Sequence, residues 1–148
     1  MSRLIHLMAL LASVLAFNAV ALESPFKVIG ATTINVHQAR QLFDAGAVFV
    51  DVRSDRQWRW GHIKGARHLE LRRDFGKLFY PGYLNRDTPL VIYCNDLDCK
   101  RSAFASYLAA RWGYTQVYYF RDGYYSWLAW DMPIQTQRSD ERFDWAER

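Results

Sequence analysis

The chain has 148 residues, of which 51% are apolar and 16% aromatic, and this composition excludes an intrinsically disordered protein. Its formal net charge is +4 without runs of Lys or Arg, so the sequence gives no indication of a nucleic-acid partner. With two cysteines and a sizeable apolar content, it is not a small domain that depends on a disulfide framework.

The first 21 residues have the pattern of a secretory signal peptide. One early positive charge, Arg3, precedes an apolar run from Leu7 to Phe17, and small residues stand at Ala19 and Ala21. This pattern predicts cleavage after Ala21 and secretion across the inner membrane into the periplasm. The alternative is an uncleaved anchor, because the apolar stretch is nearly long enough to span a bilayer. Only in that case does the protein contact a membrane.

The rest of the chain is predicted to form one domain with two short flanking segments. Short apolar runs alternate with helical patterns between residues 35 and 133, which we take as the boundaries of the domain. An N-terminal segment covers residues 22–34. A polar C-terminal tail covers residues 134–148, where Phe143 and Trp145 are the aromatic residues.

In chain order, the first predicted element is a helix over residues 36–46, which Asn35 caps and Gly46 ends. Apolar runs predict strands at residues 47–53, 66–71, 89–94 and 116–120. Further helices are predicted at residues 101–113 and 124–130, and a loop with one helical turn at residues 72–86. This alternation is typical of an α/β fold in which helices flank a parallel sheet of about five strands.

Cys94 stands at the end of a predicted strand, on the side where a parallel sheet binds its ligands. A loop that joins a strand to a helix directs backbone N–H groups into one concavity, and the helix dipole adds positive character there. Both effects stabilise a thiolate, and Lys100 and Arg101 at the start of the helix strengthen them. We therefore predict Cys94 as a nucleophile, with an anion-binding loop made of Asn95, Asp96, Leu97, Asp98, Cys99, Lys100, Arg101 and Ser102.

Several motifs in order resemble the rhodanese (sulfurtransferase) domain over about residues 35–130. They are Asp-Val-Arg at 51–53, Gly-His-Ile-x-Gly-Ala at 61–66, Cys94 at the start of its loop, Arg-Ser at 101–102, and Gly123 with Trp127. The resemblance implies a rhodanese-like fold and a sulfurtransferase that carries sulfane sulfur as a Cys94 persulfide. It also implies a small sulfur-containing anion or a thiol as substrate, and no cofactor.

Three residues outside the loop are expected to support the site. Asp51 and Arg53 are expected to form a buried ion pair or a brace near the loop rather than an acid and a base. The resemblance implies that the His62 ring fixes a loop by hydrogen bonds and takes no part in catalysis. We predict no metal site, because the two cysteines lack the paired spacing of structural zinc ligands.

The loop departs in its length from the common pattern of the family. Six residues separate Cys94 from Arg101, two more than in common rhodaneses, which implies a wider cradle. Phosphatase relatives of the fold also have a longer loop. However, Asp96 and Asp98 lie inside this loop and repel a dianionic phosphate unless they serve as turn formers.

Cys99 is a further departure, and it leaves three functions open. Cys99 is expected to be a resolving or disulfide partner of Cys94. The disulfide is predicted to hide the nucleophile and to add little stability. The first hypothesis is an exported sulfurtransferase. The second is a thiol–disulfide redox protein that cycles Cys94 and Cys99, and the third is a catalytically inactive rhodanese-like binding module. The sequence identifies no protein partner.

Overall fold

The computed structural model describes residues 23–136, and a parallel sheet with helices on both faces organises them. The predicted α/β class with about five parallel strands is confirmed. The elements in chain order are β1 (Thr32–Ile34), α1 (Val36–Asp44), β2 (Val48–Asp51), α2 (Asp55–Trp60), β3 (His62–Ile63), β4 (Arg67–His68), a 3₁₀ helix (Phe75–Phe79), β5 (Leu90–Tyr93), α3 (Lys100–Arg111), β6 (Val117–Phe120), α4 (Gly123–Ala129) and β7 (Ile134–Gln135).

The main sheet has the strand order β1-β6-β5-β2-β4, and β3 and β7 form a separate antiparallel pair. All four residues of β5 are buried, because β6 and β2 flank it and helices cover its two faces. Tyr93 at the end of β5 lies opposite Asp51 of β2 and Phe120 of β6. The carboxyl ends of three strands are therefore aligned, and Cys94 is the first residue beyond the middle one.

Helix α1 begins as the sequence predicts. The Asn35 side chain accepts a hydrogen bond from the Gln38 N–H at 2.9 Å, and the Gln38 side chain accepts one from the Asn35 N–H at 3.0 Å. This reciprocal capping satisfies two N–H groups that a helix start otherwise leaves unpaired.

Two hydrophobic clusters cover the two faces of the sheet. One contains Cys94 and is closed by residues of α3 and the 3₁₀ helix, among them Phe75, Leu78, Ala105 and Ala109. The other is closed by α1 and α4, and the fully buried Trp127 lies at its centre. The ring of Trp127 contacts Phe43, Phe49 and Phe120, with centroid distances of 5.4, 5.6 and 6.3 Å. The strands that carry the cysteine loop are thus held from both sides.

The structure differs from the predicted elements in the length of one strand and in several short elements that the sequence did not predict. The strand predicted at residues 66–71 is shortened to β4, which lies at the edge of the sheet. Beyond β4, only the Leu69 and Leu71 N–H groups donate hydrogen bonds to carbonyls at the end of β2. The sequence also did not predict α2, the three-residue strand β1 or the two-residue strands β3 and β7. These strands are too short for a hydrophobic period to reveal. The helical turn predicted within residues 72–86 is the 3₁₀ helix.

Paired strands lie outside the predicted domain boundaries at both ends. Strand β1 precedes residue 35 and pairs with β6, and β7 follows residue 133 and pairs with β3. The predicted signal peptide (residues 1–21) and the tail aromatics Phe143 and Trp145 lie outside the described residues. Within residues 23–136, no helix is long and apolar enough to cross a membrane.

Ser24 ties the N-terminal segment to the cysteine loop. This residue is 2% exposed, and its N–H donates to the Leu97 carbonyl at 2.6 Å. Its hydroxyl accepts from the Tyr119 hydroxyl at 2.8 Å, and its carbonyl accepts from the Arg121 guanidinium at 2.9 and 3.2 Å. The segment before β1 is therefore fixed to both β6 and the loop.

We expect the hydrogen bond between Ser24 and Tyr119 to stabilise the fold. Removing one partner leaves a buried hydroxyl without its bond, so Ser24→Ala is expected to lower the free energy of unfolding by about 1–2 kcal/mol. Adding Tyr119→Phe removes the second partner, and the double variant is expected to be more stable than the sum of the single effects predicts. Chemical denaturation of the wild type, the two single variants and the double variant measures this coupling. Tyr118→Phe, on the same strand, is the control. Strictly additive effects would contradict it.

Candidate active site

Cys94 lies at the carboxyl end of β5 and is joined to Cys99 by a disulfide. Their Cα atoms are 6.1 Å apart, inside the range that a disulfide requires. The expected proximity of the two cysteines is therefore observed. Cys94 is 1% exposed, and neither cysteine is free. In this form the sulfur of Cys94 is not available as a nucleophile.

Asp96 organises the middle of the loop. Its side chain accepts a hydrogen bond from the Asp98 N–H at 3.1 Å, and its carbonyl accepts one from the Cys99 N–H at 3.3 Å. Asp96 is thus a turn former, the role that the sequence left open for it. Two N–H groups of the predicted cradle are used inside the loop in this disulfide-bonded form. Binding an anion through them requires the loop to rearrange.

The start of the loop is held by the first turn of α4. The Tyr124 N–H donates to the Cys94 carbonyl at 2.8 Å, and the Tyr125 N–H donates to the Asn95 carbonyl at 2.9 Å. Gly123 allows this approach, because a Cβ at its position would lie 2.6 Å from the Cys94 carbonyl oxygen. Together with Ser24 on Leu97, these contacts fix three carbonyls of the loop.

A depression of about 420 Å³ lies over the loop and contains most of the predicted site residues. Its two acidic and two basic side chains balance in formal charge, so net charge does not attract an anion to this depression. The lining residues are Asn95, Asp96, Asp98, Cys99, Lys100 and Arg101.

The remaining predicted loop residues have other surroundings. Leu97 contributes its carbonyl to Ser24, as described above. The Ser102 hydroxyl is buried and donates to the Cys99 carbonyl at 3.4 Å, so it braces the start of α3. Within residues 23–136, the buried side-chain oxygen of Asn95 has no hydrogen-bond partner. That oxygen can accept a donor when the loop rearranges.

Arg101 reaches from the start of α3 to α2. Its guanidinium donates to the Gln57 side-chain oxygen at 3.3 Å, which also accepts from the N–H and hydroxyl of Ser54 at 3.2 and 3.0 Å. Gln57 therefore sets the direction of Arg101. No local pattern in the sequence marks this role of Gln57.

Asp51 and Arg53 form a buried ion pair, as expected. The Arg53 side chain donates to both carboxylate oxygens of Asp51 at 2.6–3.0 Å and to the Gly61 carbonyl at 2.7 Å. Its guanidinium also lies 4.1 Å from the centroid of the Tyr124 ring. Burial alone would lower the pKa of Arg53, but the hydrogen bonds and charge of Asp51 outweigh burial and raise it. The pair braces the site from β2 to the segment before β3.

His62 is stacked on Trp58 with ring centroids 3.4 Å apart, and its Nδ1 lies 3.0 Å from the Trp58 carbonyl oxygen. Because a carbonyl only accepts, Nδ1 carries the hydrogen. Burial lowers the pKa of His62, while the hydrogen bond to Trp58 opposes this. His62 has the contacts of a structural residue, which is the role that we expect for it. Within residues 23–136 there is no cluster of His, Cys, Asp or Glu that could hold a metal ion.

Two contacts at the loop come from residues to which the sequence analysis gave no role. Ser24 lies 73 positions before Leu97 in the chain, and no local motif marks it. Gly123 was noted as part of a motif, but its approach to Cys94 depends on the packing of α4. Its φ of +66° favours glycine, so the glycine at this position was the sequence signal for a special backbone conformation.

We expect Gly123→Ala to disturb the loop beyond the cost of its backbone conformation. Gly46 is the matched control, because its φ is +82° and an added Cβ meets nothing within 4 Å. Gly46→Ala is expected to cost only about 1–2 kcal/mol of backbone strain, whereas Gly123→Ala adds a clash with Cys94. Chemical denaturation compares the stability of the two variants. Mass spectrometry compares the rates at which their reduced Cys94 is alkylated. Equal destabilisation and equal alkylation rates would show that the approach of Gly123 is unimportant.

The rhodanese-like domain family matches residues 35–129 of this chain. Thiosulfate sulfurtransferase GlpE of Ectopseudomonas mendocina is 34% identical over 110 residues, which cover 73% of this chain and 94% of that protein. The human single-domain sulfurtransferase TSTD1 has a similar structure, with a TM-score of 0.60 and 26% identity over 67% of this chain and 96% of that one.

A polysulfide-sulfur transferase homodimer from Wolinella succinogenes shares the fold, with a TM-score of 0.60 and 18% identity. The match covers 77% of this chain and 85% of that one. The family match spans more than half of the chain, and the order of its motifs agrees with the observed fold. The chain therefore belongs to the rhodanese-like domain family.

Proposed function

We propose that this protein is an exported sulfurtransferase of the rhodanese type that carries a sulfane sulfur on Cys94. The observation that carries the proposal is the position of Cys94, at the aligned carboxyl ends of three parallel strands and at the start of a loop that α4 anchors. The sulfurtransferase names of its relatives support the same reaction type. Export rests on the leader pattern of residues 1–21.

The cycle has two displacement steps at sulfur. The Cys94 thiolate attacks the outer sulfur of thiosulfate, the sulfur–sulfur bond breaks, and sulfite leaves with the electron pair. An acceptor nucleophile then attacks the outer sulfur of the Cys94 persulfide and regenerates the thiolate. N–H groups of the loop stabilise the anionic sulfur in both steps once the turn at Asp96 opens.

The disulfide between Cys94 and Cys99 is proposed as the resting form. A two-electron thiol reductant must open it before Cys94 can attack a donor, so activity depends on reduction. After loading, the Cys99 thiolate can attack the inner sulfur of the persulfide, which re-forms the disulfide and expels the outer sulfur as hydrosulfide. Cys99 is therefore both a gate and a resolving residue.

The observed disulfide also favours a second candidate, a thiol–disulfide redox protein that uses the same pair. The two candidates differ in what Cys99 must do. A redox protein requires both cysteines for every turnover, whereas sulfur transfer requires only Cys94.

We expect Cys94→Ser to abolish sulfur loading and Cys99→Ser to retain it without added reductant. Intact-protein mass spectrometry after exposure to thiosulfate detects one added sulfur atom, and the wild type is expected to gain it only after reduction. Cys99→Ser is expected to cost no more than about 2 kcal/mol of stability, because the disulfide closes a short ring. Cys99 is also the N-cap residue of α3, where serine is favourable.

Other outcomes identify other functions. If neither the reduced wild type nor Cys99→Ser gains sulfur, the sulfurtransferase proposal fails. A reversible two-electron reduction potential of the wild-type protein would then support the redox candidate. Loading of Cys94→Ser but not of Cys99→Ser would move the nucleophile to Cys99.

We expect the native protein to begin at Leu22 and to be released with the periplasmic fraction. The reason is that small residues at Ala19 and Ala21 match the specificity of signal peptidase. N-terminal sequencing of the protein expressed from its full-length reading frame measures this. A protein that keeps Met1 or Ser2 and is extracted only with membranes would favour the uncleaved anchor.

A further inference from the structure

The two cysteines of the disulfide differ in their access to solvent. Cys94 is 1% exposed and belongs to the buried cluster that α3 and the 3₁₀ helix close. Cys99 is partly exposed and packs against that cluster. Of the two, Cys99 alone lines the depression of about 420 Å³ over the loop. A molecule in that depression therefore meets the side chain of Cys99 and not that of Cys94.

The opening of a disulfide has a direction. A thiolate attacks one sulfur, the sulfur–sulfur bond breaks, and the other sulfur leaves with the electron pair. The rate depends on access to the attacked sulfur and on the stability of the thiolate that leaves. Two routes are therefore possible here. One is attack at Cys99 with loss of Cys94, and the other is attack at Cys94 with loss of Cys99.

Access and leaving-group stability favour different routes. Cys99 is the N-cap residue of α3, and a helix N-terminus stabilises a thiolate, so leaving-group stability alone favours attack at Cys94. Access favours attack at Cys99, because the incoming sulfur must come within bonding distance of its target. A nucleophile reaches Cys94 only after part of the core opens, which costs free energy before any bond is made. Access therefore decides the route.

We propose that thiol reductants open this disulfide by attack at Cys99, which makes Cys99 the site of S-thiolation and Cys94 the leaving thiolate. The inference goes beyond the proposed sulfur transfer and does not depend on it. The reductant thiolate bonds to the Cys99 sulfur, the Cys94–Cys99 bond breaks, and the electron pair goes to the Cys94 sulfur. A second thiolate then attacks the reductant's sulfur in the mixed disulfide, which forms the oxidised reductant and expels the Cys99 thiolate. Cys94 is thus released one step before Cys99.

Trapping of the mixed disulfide identifies the attacked sulfur. The oxidised wild type is mixed with 2-mercaptoethanol, and the reaction is stopped with acid, which protonates the thiolates and halts exchange. Digestion with pepsin at low pH and tandem mass spectrometry then locate the adduct. The ratio is extrapolated to the earliest times, because later exchange inside the protein can move the adduct. We expect at least a tenfold excess of the Cys99 adduct over the Cys94 adduct.

The same protein in denaturant is the control. Unfolding makes both sulfurs accessible, so the excess of the Cys99 adduct is expected to disappear or to reverse. Predominance of the Cys94 adduct in the folded protein would overturn the proposal. A ratio that unfolding does not change would also overturn it, because access would then not decide the route.

A second test determines whether the reductant approaches through the depression over the loop. Asp98 lines that depression, whereas Asp87 is an exposed carboxylate before β5, at the opposite end of the strand from Cys94. The measured quantity is the rate of disulfide loss with anionic 2-mercaptoethanesulfonate divided by the rate with neutral 2-mercaptoethanol. Asp98→Asn is expected to raise this ratio about twofold, as for one exposed charge within a Debye length, and Asp87→Asn to leave it unchanged. An equal ratio in Asp98→Asn and wild type would overturn attack at Cys99 through the depression.

Discussion

A buried ion pair holds together the segments that surround the cysteine loop. Asp51 ends β2, and Arg53 binds it while also holding the Gly61 carbonyl before β3 and the Tyr124 ring of α4. The Tyr124 N–H in turn holds the Cys94 carbonyl. Because both charges are almost completely buried, losing either partner strands the other at a cost of about 3–5 kcal/mol. The position of Cys94 thus depends on a charge pair that acts on it through Tyr124.

The charges around the loop are divided between two neighbouring surfaces. Over the loop, Asp96 and Asp98 offset Lys100 and Arg101, so an inorganic sulfur anion gains little from net charge there. Beside the loop, Arg72 and Arg101 face a depression whose carboxylate is already paired. The two depressions therefore differ in net formal charge. Arg101, directed by Gln57, connects the two.

The sequence was sufficient for features that depend on local pattern. The apolar run of β5, the capping pair of Asn35 with Gln38 and the position of Cys94 after a strand are all local, and each is observed. Strand β4 was predicted too long, because pairing at a sheet edge is decided by neighbours and not by its own residues. The contacts of Ser24, Gly123 and Gln57 join distant parts of the chain, so no periodicity or spacing marks them.

The contact between Ser24 and Leu97 joins a residue outside the span that the family model matches to the loop inside it. A fragment trimmed to residues 35–129 would lack both Ser24 and β1. Strand β6 would then become an edge, with unpaired backbone groups open to pairing with other chains. The Tyr119 hydroxyl would also lose the buried serine that accepts its hydrogen bond. In this protein, the boundary of the family match separates β1 from the strand with which it pairs.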